Sequence, residues 1–342
     1  MDRASVIGDH ARRFSALDVG AVEPQHGDGR GSWWLRALAV LVAGLPWRAL
    51  RLPGALLGWL AGSVLRIRRG HVERAMRAAG LPSPARQARA MYAALGRSAF
   101  EFLWLSRRGG DALRHVTVDP ASDAIWRAAL AEGRGAVLAA SHTGNWDLAA
   151  VATARDVELL VVTKRLSAPS LDRFWQSTRA RLGVRLTGAR GAMASARQVL
   201  RRGGAVAMMI DQAPVTVRHA IGIEFLGRAA LADRAPAALA ASTGAPLVVV
   251  AARASGKGEH VVHVLAVIRP PPRPQRVGGA WIAGATVASA RALDAFVRAH
   301  PSQWLWMHRR WRAVGVDRGG HEATLGGHGS SPARGSPRPC RT

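Results

Sequence analysis

The stretch "GAVLAASHTGNWDLAA", residues 135–150, decides how the chain is read. A short run of small apolar residues ends at Ser141, Gly144 follows, and a second apolar run opens at Leu148. The first run suits a strand buried on both faces. Gly144 allows a tight backbone turn. Asn145 is a helix-capping residue, which puts Asp147 in the first helical turn, where a carboxylate meets the positive end of the helix. In open α/β sheets, ligands collect at the carboxyl edge of the strands, where His142 would stand. A carboxylate that accepts from one ring nitrogen of a histidine fixes the tautomer and leaves the other nitrogen as a base. His142 and Asp147 are therefore the candidate catalytic base and its orienting acid, although a structural hydrogen-bonded pair has the same pattern.

Outward from this corner, strands and helices alternate. Strands are predicted at 135–141, 157–163, 205–211, 246–253 and 260–268, and helices at 123–131, 145–154, 170–182, 191–202, between a cap at Asp233 and a stop at Gly244, and at 289–299. "SPARQARAMYAALGRSAFEFLWL" (83–105) reads as a further helix, with Ser83 as its cap and Pro84 in its first turn. The expected fold is α/β, with a mostly parallel or mixed sheet covered by helices.

Residues 1–32 are polar and are expected to be a disordered lead; 315–342, rich in Gly, Ser, Pro and Arg, a disordered basic tail. Between lead and domain lies "WWLRALAVLVAGLPWRALRLPGALLGWLAGSVL" (33–65), followed by the basic "RIRRGHVERAMR" (66–77). Its longest charge-free run, Leu52 to Leu65, is shorter than the roughly 20 residues that span a bilayer. Apolar helices rimmed by tryptophan and arginine suit the membrane interface, and the basic collar suits anionic headgroups. Residues 33–70 are thus expected to form a membrane-associated helical segment, peripheral or single-pass, preceding a domain at 71–314. Buried helices packed on the domain are the alternative.

The 342 residues carry a formal charge of +26, nearly all of it arginine, since Lys164 and Lys257 are the two lysines. Such a surface fits an anionic membrane, an acidic carrier protein or nucleic acid. No helix-turn-helix or RNA-recognition signature accompanies it, so no nucleic-acid partner is expected. The single cysteine, Cys340, excludes a disulfide framework and a cysteine-based zinc site. G-x-S-x-G, H-E-x-x-H and Walker A motifs are absent, so no metal or cofactor is expected. What remains is direct transfer, in which a base activates a hydroxyl that attacks an activated carbonyl such as a thioester.

The H-x-x-x-x-D spacing resembles that of glycerolipid-type acyltransferases, the lysophospholipid acyltransferase superfamily. The block "SHTGNWDLAA" narrows the likeness to the bacterial lipid A biosynthesis acyltransferases, a group that includes the mycobacterial phosphatidylinositol mannoside acyltransferases. Three further blocks follow in the family's order: "VLRRGGAVAMMIDQAP" (199–214), "IEFLGRAALADRAPAALAASTGAPLVVV" (223–250) and "RAHPSQWLWMHRRW" (298–311). The resemblance implies that His142 is the general base and Asp147, where many members carry glutamate, its partner. It also implies arginines that handle carbonyl or phosphate groups, for which Arg179, Arg181 and Arg190 are candidates. Asn145, Asp211 and Gln212 are expected beside the same cleft as substrate-binding residues, while His308, Arg309 and Arg310 are expected to close the fold, with headgroup binding as the alternative. The implied partners are an acyl carrier protein or acyl-CoA donor, a glycolipid acceptor and an anionic membrane surface, at the cytoplasmic face of the inner membrane. The acceptor stays open between a lipid A precursor, a phosphatidylinositol mannoside and an aminolipid. The segment after Gln212 carries His219, which is outside the family pattern, and a non-enzymatic lipid- or nucleic-acid-binding protein is the remaining alternative.

Overall fold

The computed structural model describes residues 32–218, 220–256, 258–272 and 277–311. The basic tail, His219 and all of the polar lead except Ser32 lie outside these residues.

Four helices come first: α1 (Trp33–Ala43), α2 (Arg51–Trp59), α3 (Arg69–Ala78) and the long α4 (Pro84–Arg108). The alternating part then runs β1 (Val116–Val118), α5 (Pro120–Ala131), β2 (Ala136–Ala140), α6 (Trp146–Asp156), β3 (Leu159–Val162), α7 (Pro169–Arg181), β4 (Val184–Thr187), α8 (Ala192–Arg201) and β5 (Ala205–Met209). A hairpin of β6 (Ala220–Phe225) and β7 (Arg228–Asp233) interrupts it. After the hairpin come α9 (Ala235–Thr243), β8 (Leu247–Ala254), β9 (His260–Ile268) and α10 (Gly279–Ala299), with a closing segment to Trp311.

The sheet is mixed, in the order β1-β9-β8-β2-β5-β3-β4. The five strands from β8 to β4 are mutually parallel, β9 is antiparallel to β8, and β1 pairs parallel with β9. Successive side chains of a strand face opposite sides, and the core follows that rule. Ala136 and Leu138 of β2, with Ala205 and Ala207 of β5, enter the core shared with α1, α4, α5, α6 and α7. Val137, Ala139, Val206 and Met208 enter the opposite core under α8, α9 and α10. The expected covered, largely parallel sheet is therefore present. The β6–β7 hairpin, β1 and β4 were not anticipated: β1 and β4 have three and four residues, and the hairpin faces the solvent along much of its length, so none produces a long apolar run. Ser83 precedes α4 as expected but makes no capping hydrogen bond, because its backbone is left-handed at φ +49°.

The N-terminal helices have two unlike faces. Leu35, Ala39 and Val42 of α1 are buried in the same core as the sheet. Helix α2 meets α4 through glycines: a Cβ on Gly58 would lie 2.2 Å from the Tyr92 carbonyl oxygen, and one on Gly54 would lie 2.5 Å from Arg97 Cα. Their outer faces present Trp33, Leu41, Leu52, Leu56 and Trp59 to the surroundings. Among the described residues no single helix is long and apolar enough to cross a membrane.

A helical glycine replaced by alanine ordinarily gains up to about 1 kcal/mol of stability. We expect Gly58→Ala to run against this and to lose about 1–3 kcal/mol, as an overpacked contact does. Gly284→Ala in α10, where nothing lies within 4 Å of the added methyl, should gain stability. Chemical denaturation of both variants measures the two signs.

Candidate active site

The sheet register builds the site. Ala140 of β2 pairs with Met209 of β5, so the chain two residues further along each strand brings His142 opposite Asp211. Adjacent strands are about 4.8 Å apart, within reach of a short carboxylate side chain. The Asp211 carboxylate accepts from His142 twice, from the backbone N–H at 2.8 Å and from ring Nδ1 at 3.0 Å. It also accepts from Trp304 Nε1 at 2.9 Å. Asp211 is fully buried, whereas the His142 side chain keeps 15 % of its surface exposed. Burial pushes the Asp211 carboxyl up, but the charge and hydrogen bonds of His142 outweigh it and hold the group well below the usual carboxylate range. With Nδ1 donating to Asp211, Nε2 is left as the basic nitrogen at the rim.

This corrects the expected pairing. Asp147 is buried in the first turn of α6, and its carboxylate accepts from Arg179 Nε at 2.6 Å and Trp175 Nε1 at 3.2 Å. Its partner is thus a guanidinium rather than the imidazole. The Asp211 oxygens, expected beside the substrate, face His142 and Trp304. Asn145 is likewise bonded within the protein. Its Oδ1 accepts from Leu148 N at 3.1 Å, and its Nδ2 donates to Glu101 at 2.9 Å. Both ends of this buried amide are hydrogen-bonded within the protein, so it caps α6 and ties the loop to α4.

The other expected residues scatter. Arg179 reaches the corner through Asp147, and its Nη groups make no hydrogen bond among the described residues. Arg181 is exposed and bonds its own helix at the Ser177 carbonyl and the Thr178 hydroxyl. Arg190 is exposed beyond β4, three strands from β2 and so roughly 14 Å away across the sheet at about 4.8 Å per strand. Gln212 is at the corner, with Nε2 3.3 Å from His308 Nε2. Arg310 is buried, donating to the Gln212 and Leu231 carbonyls and lying over the Phe225 ring at 5.3 Å, and so closes the fold as expected.

His308 was expected to close the fold, yet its ring lies 4.8 Å from that of His142. The closing segment as a whole clamps the corner. Gly144 N donates to Gln303 O at 2.8 Å, Leu305 N donates to His142 O at 3.0 Å, and Thr143 bridges Trp304. At Gly144 φ is +54°, and a Cβ would meet Ala252 O at 2.7 Å, so the turn accepts glycine alone. Beside Gly144 is a cavity of about 210 Å³ bounded by Arg51, Arg97, Ser98, His260 and Gln303.

Burial and the neighbouring His142 push the His308 imidazole down to about 4. An unfolded histidine titrates near 6.5, so between pH 6.5 and 4 the unfolded chain binds the extra proton and stability falls as pH drops. The contribution is about 3 kcal/mol. We expect His308→Gln to flatten the stability difference between pH 6.5 and 4 relative to the unsubstituted chain, as read by denaturant titration at each pH.

Comparison with known proteins places the chain in a family. Residues 25–313 match the family model described as bacterial lipid A biosynthesis acyltransferase. The chain is 29 % identical over 233 residues to a phosphatidylinositol mannoside acyltransferase of Mycolicibacterium smegmatis, covering 66 % of this chain and 71 % of that protein. It is 30 % identical over 190 residues to a phosphatidylinositol mannoside acyltransferase of Mycobacterium tuberculosis, covering 54 % of this chain and 57 % of that protein. With most of its length matched by the family model, and with the histidine corner inside the matched region, the chain belongs to the acyltransferases of the bacterial lipid A biosynthesis family.

Proposed function

We propose that the protein is a membrane-surface O-acyltransferase that moves a fatty acyl group from a thioester, on acyl carrier protein or CoA, to a hydroxyl of a glycolipid. The observation that carries this is the imidazole of His142, 15 % exposed, fixed through Nδ1 by a buried carboxylate and with no hydrogen bond at Nε2 among the described residues. Nε2 takes the proton of the acceptor hydroxyl as its oxygen attacks the thioester carbonyl. The tetrahedral intermediate collapses by breaking the C–S bond, and the imidazolium returns the proton to the departing thiolate. Asp211 stabilises the imidazolium between these two transfers. Arg179, held through Nε by Asp147, has its Nη groups left for the oxyanion or a substrate phosphate. The cavity beside Gly144 offers room for part of a substrate.

The acceptor is a phosphatidylinositol mannoside in preference to a lipid A precursor, because both of these relatives carry that activity in their names. The outer faces of α1 and α2 dip into the cytoplasmic side of the membrane, where acyl thioesters are supplied, and the +26 charge draws the chain to anionic lipid and to an acidic carrier.

His142→Ala should abolish acyl transfer, and an active alanine variant would sink the proposal. Asp211→Asn should lower kcat by about 10²–10⁴-fold, the range for a disabled general base. Asp147→Asn should cost less, because it loosens Arg179 without touching the base. Transfer from a radiolabelled acyl thioester measures all three, and mass spectrometry of the product names the acceptor. Leu52→Asp with Leu56→Asp, both on the outer face of α2, should prevent flotation with phosphatidylinositol-containing vesicles; unchanged flotation would place the membrane contact elsewhere.

A further inference from the structure

Behind the histidine corner, on the side away from Asp211, lies a second buried carboxylate to which no step of the transfer has been given. Glu101 of α4 is 1 % exposed. Three N–H donors converge on it: Arg97 Nε at 2.5 Å, His260 Nε2 at 2.7 Å and Asn145 Nδ2 at 2.9 Å. Burial pushes its carboxyl up, while His260, Arg97 and Asn145 outweigh burial and keep it below the usual range. Arg97 is itself anchored, donating Nη2 to the Gly258 carbonyl at 2.6 Å, and that carbonyl also accepts from Trp47 Nε1 at 2.9 Å. Alongside, Ser98 Oγ donates to the Gly144 carbonyl at 3.5 Å.

The placement has a direct geometric consequence. An asparagine amide has two chemically different ends, and Glu101 accepts from one of them. The Nδ2 end of Asn145 must therefore face α4, which turns Oδ1 onto Leu148 N as the cap of α6. Asn145 is three residues from His142. The loop between them is held on one side by the closing segment and on the other by α4.

We infer that Glu101 is a positioning residue for acyl transfer: by fixing Asn145 it sets the 142–145 loop, and with it the direction in which His142 meets the acceptor hydroxyl. This rests on the proposed role of His142. A base displaced by about 1 Å loses on the order of 10²-fold in rate, so a small shift of the loop is enough to matter.

Glu101→Gln keeps the shape but turns one acceptor oxygen into a donor, which must then face Arg97, His260 or Asn145. Glu158→Gln is the control. Glu158 is also a buried carboxylate held by arginines, Arg185 and Arg202, but it lies just before the opposite end of β3. In the full-length chain we expect Glu101→Gln to lower kcat by about tenfold or more with KM within about twofold. It should also change the rate at which diethyl pyrocarbonate modifies His142, followed by peptide mass spectrometry. Glu158→Gln should lower stability and leave both readouts unchanged. Unchanged kcat and His142 reactivity in Glu101→Gln, or an equal kcat loss in Glu158→Gln, overturns the inference. Should Glu101→Gln fail to fold, Asn145→Ser retains a capping oxygen, removes the donor to Glu101, and is expected to give the same pair of effects; its absence is equally decisive. If the unsubstituted chain transfers no acyl group, the functional proposal falls, while the His142 modification rates still decide whether Glu101 positions the ring.

Discussion

A charged carboxylate sealed between two parallel strands is costly unless donors surround it, and Asp211 is such a group. Its donors are the backbone and ring of His142 and the indole of Trp304. Satisfying this one charge therefore fixes the loop after β2, selects the tautomer of the imidazole, and ties the closing segment across the rim of the sheet. Removing one partner of a buried pair typically costs about 3–5 kcal/mol. Fold closure and base orientation thus depend on the same oxygens.

Around the corner the same device recurs. Asp147 meets Arg179 and Trp175, and Glu101 meets Arg97, His260 and Asn145. Each carboxylate is paired with donors from another part of the chain, so the corner is held from three directions while the His142 side chain keeps part of its surface exposed. The arginine excess consequently has two uses. Arg97, Arg179 and Arg310 are spent inside, whereas residues such as Arg181 and Arg190 stay on the surface, where they add to the positive field.

The N-terminal helices show how one segment serves both packing and surface. The glycines of α2 remove side chains where it crosses α4, giving backbone-to-backbone contact. That close approach leaves the long apolar side chains of α1 and α2 on the outer side. Arg97, which faces Gly54 across this contact, is also the residue that holds Glu101, so the outer helices connect to the histidine corner through one turn of α4.

The amino-acid sequence by itself determined the periodic pattern: short apolar runs that had to be covered strands, the glycine turn at 144, the cap at Asn145, and His142 at a strand's end. Those features are local, set by neighbours within one turn or one strand, and so a linear reading reaches them. It did not reach the partner of His142, because five residues of separation to Asp147 look closer than sixty-nine to Asp211. Strand order and register, which no local pattern encodes, set β5 beside β2 and aligned Asp211 with His142. The tertiary fold alone decided which carboxylate faces the ring, why Asn145 points toward α4, and that His308 stands against the imidazole, since each depends on donors brought together from distant parts of the chain to satisfy a buried charge.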